Sequence, residues 1–104
     1  MPTPPPTERL DAALESGRVD ALESLRRYVR IVCISAQRPD ATESLEFLER
    51  TFREAGLEAR RVATKGGPPV VVAKGRGATR RSITFYNHYD VQPADPLAAW
   101  QSPP

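Results

Sequence analysis

The 104-residue sequence has one cysteine, one histidine and no long apolar run. Each scarcity excludes something. A single thiol, Cys33, cannot form an internal disulfide or a multi-cysteine zinc knuckle, and its simplest role is that of a small buried hydrophobe near a helix end. No stretch approaches the roughly 18 consecutive apolar residues that a membrane span requires. The opening Met-Pro-Thr-Pro-Pro-Pro lacks the basic and apolar blocks of a secretory leader, and the sequence is expected to be cytoplasmic. Charge of one sign is also in short supply. Lys plus Arg is 15 and Asp plus Glu is 13, so the net charge is +2, too small a surplus to argue for nucleic acid or an anionic membrane. Arg60-Arg61 and Arg80-Arg81 are read as solvent-facing strand ends, and no aromatic stacking pattern accompanies them.

Proline is in excess: 11 of the 104 residues, about twice average usage. Four fall within residues 1–6, which are expected to form a flexible, extended lead-in. The other end, Trp-Gln-Ser-Pro-Pro, has no evident structural stop, and with the length this suggests a piece of a larger domain. Hydrophobic residues at 39% and charged residues at 27% suit a globular chain.

Helical spacing dominates the first half. Thr7 is placed to cap a short helix with Leu10, Ala13 and Leu14 on one face and Gly17 as its stop. Asp20 and Glu23, at capping-box spacing, predict the start of a second helix carrying Leu22, Leu25 and Val29, with Arg26, Arg27 and Arg30 near its negative end. Ile34 to Pro39 breaks the pattern. Asp40 and Glu43 repeat the capping spacing before a third helix, in which Leu45, Leu48, Phe52 and Ala55 form a stripe. Glu46–Arg50 and Glu49–Arg53 pair at four residues, and Gly56 ends it.

Strand signals follow. Leu57 to Ala63 and Val70 to Ala73 flank a Gly-Gly-Pro-Pro loop and predict a hairpin. After Gly75-Arg76-Gly77, the run Ser82 to Tyr89 reads as a strand buried on both faces. The fold class is therefore α/β: N-terminal helices, a β-hairpin and a buried strand of a layered sheet.

The lone histidine lies at the end of that last run. Alternation along a strand puts His88 and Asp90 on one side and Tyr89 on the other. An imidazole can bind a divalent metal while a carboxylate holds its second ring nitrogen. His-x-Asp alone is more often a structural hydrogen-bonding pair than a ligand site, and Asp90 alone can simply start the turn through Pro93, Asp95 and Pro96. Tyr86 shares the His88 side and either lines that site or packs as a sheet-face aromatic. Trp100 either packs a loop or meets a substrate.

The run Tyr86-Asn87-His88-Tyr89-Asp90-Val91-Gln92-Pro93, with Asp95-Pro96 and Trp100-Gln101-Ser102-Pro103-Pro104, resembles the first signature of the M20 metallopeptidases, in particular the dipeptidase branch. The likeness covers roughly residues 8 to 104, and Asn87 stands where the family commonly has glycine. The resemblance implies that 7–104 is the N-terminal part of a layered α/β/α catalytic domain, that His88 is a metal ligand, and that Asp90 is the catalytic-site residue orienting it. It further implies a cocatalytic pair of divalent metals, Zn2+ with Mn2+ or Co2+ as alternatives, a dipeptide or short-peptide substrate, and a homodimeric parent through a lid or dimerisation domain. The bridging aspartate, the general-base glutamate and the other ligands would lie beyond Pro104, so the 104-residue chain by itself is expected to be inactive. The alternative reading is a small non-catalytic α/β module that binds a partner through its sheet edge.

Overall fold

The computed structural model describes residues 3, 5–37 and 40–104. The chain divides into two units, Met1–Ile31 and Val32–Pro104. The first is one helix. Pro6, counted above with the extended lead-in, is its first residue, and α1 runs without interruption from Pro6 to Val29. Proline at the first helical position costs nothing, because its missing N–H would have had no intrahelical partner and its φ is already helical.

Three expectations fail in α1. Thr7 is not a cap: the helix starts before it, Pro5 stands at the N-cap, and no side chain caps the end. Gly17 is not a stop, and Asp20 starts no second helix. A glycine ends a helix by entering the left-handed region, and Gly17 keeps helical angles, unlike Gly56 and Gly66. Helix-favouring Leu, Ala, Glu and Arg on both sides carry the chain through it, against a cost of about 1 kcal/mol for glycine. Salt bridges Arg18–Glu15 at 3.7 Å and Arg26–Glu23 lie along the surface of α1, and Arg26 and Arg27 occupy its last turn as the dipole favours.

The second unit is built on α2, Thr42–Glu54, and an antiparallel pair, β1 Glu58–Val62 and β2 Val70–Lys74. Asp40 is not the N-cap its spacing suggested: Ala41 holds that position without a side-chain cap, and Asp40, one residue earlier, accepts from the Thr42 amide at 3.0 Å and the Thr42 hydroxyl. Pro39, expected to open this helix with Asp40, lies outside the described residues. Gly56 ends α2 as predicted. At φ +81° it lets its own N–H reach the Arg53 carbonyl (2.9 Å) and the Leu57 N–H reach the Phe52 carbonyl (3.0 Å), a paired closure that only a left-handed residue allows.

The hairpin keeps the register Glu58↔Lys74, Ala59↔Ala73, Arg60↔Val72, Arg61↔Val71 and Val62↔Val70. Its Gly-Gly-Pro-Pro loop is closed by Thr64, whose hydroxyl donates to the Pro68 carbonyl at 3.0 Å. The core is small. Among the described residues Leu45 and Cys33 are the buried hydrophobes and Ser44 is also buried, while Leu48 and Phe52 of the predicted stripe are half-buried and Ala55 is exposed. Glu49 pairs with Arg53 within α2 at 3.8 Å and ties the helix to β1 through Arg61 at 3.1 Å. Arg61 is exposed, as expected, and also has this carboxylate partner. Arg50 lies over the Phe47 ring, 5.6 Å from its centre.

The architecture is mixed α/β: helices followed by a two-stranded antiparallel sheet. The buried strand at Ser82 to Tyr89 is not there. The run belongs to no sheet, and Ile83, Phe85 and Tyr86 are 80–83% exposed. Aromatic and β-branched residues favour a pleated, packed environment, but a strand also needs a ladder neighbour and layers on both faces. No described residue supplies either. The segment rejoins the domain at Val91, which pairs in parallel with Ile34.

Candidate metal centre

The site is assembled where the chain returns to the second unit. The Val91 N–H donates to the Cys33 carbonyl at 2.9 Å, and Ile34 and Val91 form a single parallel bridge. Cys33 is the buried anchor of this contact, in the segment past the end of α1. The following turn, Ser35–Gln37, is closed by the Gln37 N–H on the Ile34 carbonyl at 3.0 Å. From the other side, the Tyr89 hydroxyl donates to the Pro69 carbonyl at 3.0 Å. Residues 89–91 are therefore held between the 33–35 segment and the hairpin loop. An open cleft of about 600 Å³ lies there, and Cys33, Ser35, Pro69, Tyr89 and Asp90 are among its walls.

Alternation at the end of the run places the side chains as the sequence suggested. His88 Nδ1 is 3.1 Å from Asp90 Oδ1, and Tyr89 points away to the hairpin loop. An ionised carboxylate only accepts hydrogen bonds, so the proton between them sits on Nδ1. Nε2 is left as the nitrogen able to bind a metal. The Asp90 carboxyl is held below the ordinary range, by hydrogen bonding from Ser35 first and then from His88. Burial pushes the Tyr89 phenol up.

Both aromatics singled out above have defined contacts. Tyr86 is 83% exposed, so it is no core residue; its ring meets His88 edge to face, with centroids 5.7 Å apart and planes at 68°. Trp100 closes its own loop, its indole N–H donating to the Ala94 carbonyl at 2.7 Å. Ser35 was missed by the sequence reading. It lies in the break between helices, and no local spacing relates it to a residue so far along the chain.

The donor set fits one corner of a metal site and no more. An imidazole whose far nitrogen is held by a carboxylate is the arrangement that fixes a ligand's tautomer and raises its basicity. Among the described residues, however, no group of three or more His, Cys, Asp or Glu side chains converges. Nor, among them, is any helix long and apolar enough to cross a membrane.

The chain is similar to succinyl-diaminopimelate desuccinylase of Cereibacter sphaeroides, 38% identical over 66 residues that cover 64% of this chain and 17% of that protein. It is also similar to the Cys-Gly metallodipeptidase DUG1 of Candida albicans, 31% identical over 100 residues, 93% of this chain and 20% of that one. The Cys-Gly metallodipeptidase dug1 of Schizosaccharomyces pombe is 27% identical over 110 residues, 93% of this chain and 23% of its own length. The chain thus spans about a fifth of the length of the curated relatives it matches. No family model and no solved structure matches it. The similarities point to the M20 peptidases, the family that the His88-Tyr89-Asp90 run resembles.

Proposed function

We propose that this chain is the opening part of a metal-dependent M20 peptidase that hydrolyses the amide bond of a dipeptide or short peptide in the cytoplasm. One observation carries the reading: the 3.1 Å pair of His88 Nδ1 and Asp90 Oδ1 at the end of the segment that resembles the family's first signature. In this reading His88 binds a divalent cation, Zn2+ or, alternatively, Mn2+ or Co2+, through Nε2. Asp90 keeps the Nδ1 proton and fixes the plane of the ring, and the Tyr86 ring braces the imidazole from the side. A pair of such cations supplies polarisation of the scissile carbonyl and a water acidic enough to attack it. The remaining ligands and the general base come from sequence outside these 104 residues, which on their own hold no metal and turn over no substrate. The names of the relatives support a dipeptide such as Cys-Gly or an N-succinyl amide as first substrates to try.

The test is made on the full-length protein containing this segment, with metal content measured beside hydrolysis of Cys-Gly and of an N-succinyl amide. His88→Ala is expected to lose metal and nearly all activity. Asp90→Ala is expected to keep the fold and lose about 10–100-fold in metal affinity or rate. Unchanged turnover and metal content in His88→Ala would refute the assignment.

A further inference from the structure

We propose that Tyr89 is a positioning residue for the His88–Asp90 pair: its hydroxyl, donating to the Pro69 carbonyl at 3.0 Å, fastens the end of the extended run to the hairpin loop and so fixes the backbone from which both side chains project. The need for such a residue follows from how that backbone is held. The run Ser82 to Asp90 belongs to no sheet. It is anchored where it ends, by the Val91 N–H on the Cys33 carbonyl at 2.9 Å and the bridge of Val91 to Ile34. The His88 side chain is 74% exposed, so packing does not set its direction. A chain held at one point swings about it, and a second point removes that freedom.

Tyr89 supplies the second point. Alternation sends its ring to the side opposite His88 and Asp90, into the cleft whose walls include Pro68, Pro69 and Tyr89 itself. Its acceptor is firmly placed. Pro69 directly precedes β2, whose first residue Val70 pairs with Val62, and the two prolines each fix a backbone torsion. The loop is also closed on itself, by the Thr64 hydroxyl on the Pro68 carbonyl at 3.0 Å. The Tyr89 contact spans 20 residues of sequence and ties this loop and the His88 corner into one piece. With residues 89 and 91 both held, His88 Nδ1 stays at 3.1 Å from Asp90 Oδ1, the contact that keeps the proton on Nδ1 and leaves Nε2 open. Tyr89 acts on the imidazole through the backbone. That effect stands by itself; its consequence for metal affinity rests on the reading of His88 as a ligand.

His88 is the one histidine of the chain, so its imidazole nitrogen NMR signals report the tautomer without ambiguity. The 104-residue chain, at low temperature and at a pH where the ring is neutral, is expected to show mainly the Nδ1–H form. Tyr89→Phe keeps the ring and removes the hydroxyl. It should move the ratio several-fold toward Nε2–H and speed exchange of the Gly66 and Gly67 amides, with the Val91 amide signal confirming that the bridge persists. Thr64→Val leaves Tyr89 in place and tests the same link from the loop side. It should move the ratio in the same direction, and it should change nothing further in a Tyr89→Phe background, as a coupled pair requires. A parent ratio in Tyr89→Phe, or a Thr64→Val effect equally large without the Tyr89 hydroxyl, would overturn the proposal. In the full-length protein, altered tautomer with unaltered metal affinity would count against His88 as a ligand while leaving the positioning role intact.

Discussion

Single side chains do three different jobs in this molecule, and their surroundings decide which. His88 and Asp90 meet because the extended backbone puts alternate residues on one side, a rule that needs no tertiary information. Asp40 is a second carboxylate with a depressed pKa, and its cause is wholly local: the Thr42 hydroxyl first, then the Thr42 amide. Because its folded value lies below the unfolded one, the stability it contributes is present at neutral pH and is lost as pH falls through that depressed value. Asp40→Ala should therefore weaken α2 at pH 7, and the difference from the parent should vanish in strong acid. Helical circular dichroism followed in urea at several pH values checks this; a difference that persists below the carboxylate range would contradict it. Ser35 is the third kind. Nothing in its own neighbourhood predicts its partner, which reaches it through the fold.

Among the elements, α2 is the one whose faces and C-terminal end were legible in the sequence. Its apolar stripe, its glutamate-to-arginine spacing and its terminal glycine all agree on one helix, and Leu45 of the stripe is 3% exposed. The closure at Gly56 can be tested. An alanine Cβ there would meet nothing within 4 Å, so the penalty of Gly56→Ala comes from the left-handed backbone alone, about 1–2 kcal/mol. Urea denaturation should show that loss for Gly56→Ala and a much smaller one for Gly56→Asn, since asparagine tolerates this conformation. Equal stability of the alanine chain and the parent would mean that the paired closure of α2 is not maintained in solution. Helix α1 illustrates the opposite case. Local signals at Gly17 and Asp20 argued for a break, but a glycine offers a stop without imposing one, and the residues around it favour continuing.

At the scale of the whole molecule, the quantity that matters is how little apolar surface is covered. Cys33 and Leu45 are the buried hydrophobes, while Leu10, Leu14, Leu25, Ile83, Phe85 and Tyr86 are all more than half exposed. A chain of this size ordinarily draws its stability from a shared core. The 104-residue chain should accordingly melt over a broad range and bind a hydrophobic dye before melting. A sharp, cooperative calorimetric transition of the monomer would contradict this.

The sequence by itself determined the helix α2 with its glycine end, the hairpin and its loop, and the approach of His88 to Asp90. All of these depend on residues a few positions apart, where helical and strand periodicity and turn chemistry act directly. It also pointed to the peptidase family through a short run of residues. What the tertiary structure decided is of longer range. It showed that the aromatic run Ser82 to Tyr89 has no sheet to join within the described residues, because strand propensity without a ladder neighbour does not make a strand. It joined Ile34 to Val91, and so brought Ser35 and Asp90 to the walls of one cleft. That approach depends on a single backbone bridge between segments that no periodicity relates, so only the folded chain brings the two residues together.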